Sequence, residues 1–73
     1  MNMLIRDFEY KTGLDRATIR FYEKKQLITA NRKENGYREY TEAQAELLMK
    51  IKLLRQLGMS LDTIKELQQG IGN

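Results

Sequence analysis

Arg16, Thr18, Arg20 and Tyr22 put two cations, a hydroxyl and a phenol on one short stretch, and Arg32, Tyr37 and Arg38 repeat the combination further on. What these groups share is donation. A guanidinium fork matches the paired acceptors of a guanine edge, and guanidinium, hydroxyl and phenol groups all donate to phosphate oxygens. Positions 16 and 20 lie one helical turn apart, so their side chains can point the same way. At the start of a helix lying in a major groove, Arg16 and Thr18 reach base edges, while Arg20 suits a phosphate at least as well. An exposed helix with local ion pairs, Arg16 with Asp15 or Arg20 with Glu23, accounts for the same residues. Phe21 and Tyr22 point about 100° apart on a helix, so only one of them is buried. Helical phase assigns Phe21 to the core and the Tyr22 hydroxyl to a nucleic-acid backbone contact, with the opposite order as the alternative.

Arg32, Lys33, Tyr37 and Arg38 flank Asn35-Gly36, a strong tight-turn signal. A hairpin there concentrates cations at its tip, which suits phosphates or a minor groove, or is simply a polar hairpin. Lys52 and Arg55 lie opposite an apolar stripe and either touch a backbone or solvate their helix. Ser60 is either a plain N-cap or a donor to a phosphate at a helix N-terminus. Catalysis has little to build on. The chain has no His and no Cys, no glycine-rich phosphate loop and no acids at a metal spacing. The expectation is a non-enzyme without cofactor or metal.

These groups need a scaffold, and 73 residues suffice for one small domain, 1–73. With 41% hydrophobic and 32% charged residues and no run of ~20 apolar residues, the expectation is a soluble, cytoplasmic protein with no membrane partner. Net charge is +3, and its placement says more than its size. Residues 1–40 carry nine Lys/Arg against six acids, and residues 41–73 carry four of each. The excess lies where aromatics interleave, which favours a polyanion partner.

The spacing predicts a first helix over 4–12, with Ile5 and Phe8 facing inward, stopped by Gly13. Asp15 caps a second helix over 16–25. Two short helices joined at a glycine make a helix-turn-helix unit over about 4–25. Residues 27–40 read as a two-stranded wing. Thr41 caps a helix over 42–57, with Leu47, Ile51 and Leu54 at i, i+4 and i+7, widened by Leu48 and Leu57. Gly58 ends it. Ser60 caps a last helix to about 69 through Leu61, Ile64 and Leu67, with Gly70 and Gly72 ending the ordered part. The fold class is mainly α: a winged helix-turn-helix of about four helices with a small two-stranded β wing.

In order and spacing, TGLDRATIRFYEKKQLI (12–28), ENGYREYT (34–41) and LLRQLGMSLDTIKEL (53–67) resemble the MerR family of bacterial transcription regulators. The resemblance implies that the second helix enters a major groove. It implies DNA contacts at Arg20, Tyr22, Arg32, Tyr37 and Arg38, and a phosphate contact at Arg55. Arg16 and Ala17 match the variable positions that set sequence preference. It also implies promoter binding as a homodimer, with RNA polymerase affected through the DNA. Three features depart from the family pattern. Residues 69–73 offer no long dimerisation helix, so this chain alone is expected to be a monomer or weak dimer. Glu9 stands where the family has a small residue at a helix crossing, and must lean outward or splay the helices. The wing lacks the usual prolines after Ile28. Two rival readings are an excisionase-like DNA-bending protein and a helical protein-interaction module. RNA is a weaker choice, since stacking aromatics on an open sheet are absent.

Overall fold

The computed structural model describes the backbone of residues 2–71 and the side chains of residues 2–68. The element order is β1 (Asn2–Met3), α1 (Ile5–Thr12), α2 (Arg16–Lys24), β2 (Asn31–Arg32), β3 (Arg38–Thr41), α3 (Glu42–Gln56) and α4 (Leu61–Ile71). It is a winged helix-turn-helix of four helices with a small antiparallel sheet, ordered β1-β3-β2.

Local chemistry sets most of the boundaries. Gly13, at φ 73°, turns the chain out of α1, and its amide donates to the Glu9 carbonyl at 2.9 Å. The buried Thr12 hydroxyl donates to the Phe8 carbonyl at 2.8 Å and accepts from the Leu14 amide at 3.2 Å, which fastens the turn. Asp15 accepts from the Thr18 amide at 2.8 Å and starts α2. Thr41 and Gln44 form a reciprocal capping box at the head of α3. Ser60 accepts from the Thr63 amide at 3.1 Å at the head of α4.

The C-termini of α2 and α3 use the same device. Leu27 donates to the Tyr22 carbonyl and Gln26 to Glu23; Met59 donates to Leu54 and Gly58 to Arg55. Both are Schellman closures. At α3 the left-handed position is Gly58, at φ 95°; at α2 it is Gln26, at φ 65°.

The core lies where α1, α3 and β3 meet. Phe8, Ile19, Tyr40, Leu48, Ile51 and Ile64 are all almost fully buried. The Phe8 and Tyr40 rings stack 4.3 Å apart and 11° from parallel.

Several expectations need correction. Tyr22 is buried and Phe21 is 43% exposed, the reverse of the assignment from helical phase. Tyr22 joins the core cluster with Leu27, whereas Phe21 lies out under Lys25, whose Nζ is 5.6 Å from the ring centroid. Leu27 and Ile28 are core residues, not wing strand. The sheet has a third strand, β1, pairing Asn2 with Thr41 and Met3 with Tyr40. The buried line of α3 is Ala45, Leu48 and Ile51. Leu47 and Leu54 flank it, and Leu57, the C-cap residue, is 75% exposed because the helix ends there. Helix α4 continues through Gly70, and Leu67 is exposed. Gly72 lies outside the described residues. Among the described residues, no helix is long and apolar enough to cross a membrane.

Candidate nucleic-acid interface

The wing hairpin pairs Asn31 with Glu39 and Arg32 with Arg38. Its tip is one residue longer than the tight turn expected of Asn35-Gly36. Lys33 donates to the Tyr37 carbonyl at 2.8 Å, and Gly36 donates back to Lys33 at 2.9 Å. Glu34, Asn35 and Gly36 thus form a three-residue connection, with Gly36 in the left-handed position at φ 88°. Arg32 Nη1 donates to the Gly36 carbonyl at 3.3 Å, folding this arginine along the tip. Tyr37 stands 65% exposed.

Glu23 connects α2 to the wing. One carboxylate oxygen accepts from Arg38 Nη1 at 3.0 Å and the other from the Tyr40 hydroxyl. The Glu23 and Arg38 side chains are largely buried, at 15% and 26% exposure, so water screens this pair less than a surface pair. Burial, then the hydrogen bond and negative charge of Glu23, push the Tyr40 hydroxyl up to about 12. Hydrogen bonding from the Thr18 side chain, then from its amide, holds the Asp15 carboxyl below its ordinary value. A second tie fixes the wing from behind: Gln44, at the head of α3, donates to the Thr29 carbonyl.

Between the start of α1, the outer side of α2 and the wing lies an open cleft of about 660 Å³. Arg6, Arg16, Arg20, Arg32 and Arg38 all line it, with Tyr37 and Gly36 at the wing side and Asp7 at the α1 side. Five arginines, from α1, α2 and the two wing strands, therefore share one concave surface. Such a surface attracts a polyanion and offers both forked and single donors to it.

The expected contact residues fall into three groups. Arg16, Arg20, Arg32, Tyr37 and Arg38 meet at the cleft. Ala17 is exposed on α2 and Thr18 is half-buried beside its cap. Tyr22 has a buried ring, and its hydroxyl has no hydrogen-bond partner among the described residues. Lys52, Arg55 and Ser60 stay off the cleft. Lys52 is half-buried over the helix-turn-helix bend, where a Cβ on Gly13 would meet its Nζ at 3.0 Å. Arg55 is exposed and donates to the Met59 carbonyl at 3.4 Å. Ser60 is engaged as a cap.

Two residues escaped the sequence reading. Arg6 lines the cleft from α1, and its only sequence signal was an exposed position next to Ile5 on a helix whose Phe8 faces inward. Glu23 was weighed only as an Arg20 partner, because its true partners lie 15 and 17 residues away. Glu9 is half-buried, and its carboxylate meets Arg16. Among the described residues, no group of three or more His, Cys, Asp or Glu is placed to hold a metal ion.

A family model described as MerR HTH family regulatory protein matches residues 3–71. The HTH-type transcriptional regulator CueR of Yersinia pestis is 47% identical over 66 residues, which are 89% of this chain and 48% of that protein. ZntR of Escherichia coli strain K12, also an HTH-type transcriptional regulator, is 49% identical over 51 residues, 68% of this chain and 36% of that protein. The chain thus spans about half the length or less of these curated relatives. Among solved structures, HiNmlR, a MerR family regulator lacking the sensor domain and bound to promoter DNA, matches with a TM-score of 0.88. It is 32% identical and covers 100% of this chain and 58% of that chain.

Proposed function

The chain belongs to the MerR family of helix-turn-helix regulatory proteins, and from that premise we propose that it is the double-stranded DNA-binding domain of a transcription regulator. The observation that carries the reading is the shared cleft, where Arg16 and Arg20 of α2 face Arg32 and Arg38 of the wing. In this reading α2 enters the major groove. Arg16 and Ala17 meet base edges there, and Thr18, Arg20 and the Tyr22 hydroxyl meet the groove wall. Arg32, Tyr37 and Arg38 grip the neighbouring strand, with Arg6 closing the cleft from α1. Lys52, Arg55 and Ser60 flank the duplex at its backbone. The likeness to a family member bound to promoter DNA supports this docking.

The proposal includes a cytoplasmic, non-enzymatic role, two copies on one promoter, and an effect on RNA polymerase that passes through the DNA. The test is a salt titration of binding to duplex DNA. With ~5 phosphates neutralised, log affinity falls against log salt with a slope of about −4.5. A flat response overturns the reading in favour of a protein partner.

A further inference from the structure

Arg16 Nη2 donates to Glu9 Oε1 at 3.1 Å across the bend between α1 and α2. Seven residues and a glycine turn separate the two, so the fold makes this pair, not helical spacing. It is a poor device for holding the fold. The Arg16 side chain is 54% exposed, and an exposed ion pair adds little to stability.

What the contact does fix is the guanidinium. Arginine carries five N–H donors in a planar fork. Glu9 occupies one edge, and the side chain still lines the cleft. Arg6 and Arg20 line the same cleft and have no side-chain partner among the described residues. That difference matches two tasks. A phosphate contact tolerates a mobile cation, whereas a base edge demands a fork held in register. A carboxylate beside a polyanion also opposes binding wherever it brings no compensating contact.

Resting on the duplex-binding reading above, we propose that Glu9 is a positioning residue for Arg16. It aims the guanidinium at a base edge and so sharpens sequence preference, while its charge weakens binding to unmatched DNA.

The 73-residue chain is used to enrich a preferred duplex from a random-sequence pool. Affinity is then measured on that duplex and on a scrambled one, with folding checked by circular dichroism. In Glu9→Ala the ratio of the two affinities falls about 5–10-fold, while affinity for the scrambled duplex rises about 2-fold. Glu9→Gln keeps the acceptor oxygen and retains most of the ratio. In an Arg16→Ala background, Glu9→Ala leaves the ratio unchanged. An unaltered ratio in Glu9→Ala overturns the inference. So does an equal fall without Arg16, which marks a general effect on helix packing. Equal binding to every duplex also overturns it but leaves duplex binding standing. A folded chain that binds no duplex overturns the functional reading itself, and the inference with it.

Discussion

Arg16 and Arg38 both face the cleft, yet their surroundings assign them different work. Arg38 springs from the wing and is held by Glu23; Arg16 begins α2, where base edges are nearest in the proposed docking. Arg16→Ala is expected to relax preference at one base pair, by about 1–3 kcal/mol of discrimination. Arg38→Ala is expected to weaken binding to all sequences alike. Competition binding against single-base variants separates the two, and a changed preference in Arg38→Ala would reverse the assignment. Tyr40 supports Arg38 from within the core. Its hydroxyl is raised to about 12 in the folded chain, against about 10 unfolded. The folded state therefore keeps the proton longer. The stabilisation is full below pH 10 and is lost as pH climbs from about 10 to 12. Urea melts across that range are expected to show a fall that Tyr40→Phe removes.

At the scale of elements, Gln26 carries a strained backbone. It occupies the left-handed position that Gly58 fills at the matching corner of α3. Gln26→Gly keeps both closing hydrogen bonds and relieves the Cβ clash, for a gain of about 0.5–1 kcal/mol. Thermal unfolding is expected to rise by roughly 2–8 °C, as suits a domain of this size. A lower melting temperature would show that the Gln26 side chain contributes more than its backbone costs. The caps explain which boundaries were legible in the sequence. Asp15, Thr41 and Ser60 each act on an amide three residues away, and Gly13 and Gly58 act on the residue that must turn, so local sequence suffices. The strand β1 was not legible, because two residues at one end become a strand only by pairing with Tyr40 and Thr41. The Phe21/Tyr22 order failed for a related reason. Adjacent positions differ by a fraction of a turn, and the core that Tyr22 joins is completed by Leu27 and Ile28, beyond the end of α2.

At the scale of the whole molecule, the described residues share one core cluster, and several large apolar side chains stay outside it. Three of them, Met49, Leu53 and Leu57, lie four residues apart along α3 and its C-cap. A stable dimer needs about 800 Å² from each partner, more than one row of three side chains supplies. Sedimentation of the 73-residue chain at low micromolar concentration is expected to show a monomer, and a tight dimer would mean that this row is an interface. The cleft was half legible at this scale. Sequence placed arginines on a helix and on a hairpin but gave no distance between them. Glu23, bonded to both Arg38 and Tyr40, supplies that link. The hairpin also has no linker behind it. Thr41 is at once the last residue of β3 and the cap of α3, and β3 is the middle strand of its sheet. No flexible residue therefore lies between the wing and α3 to absorb a load before it reaches the helix.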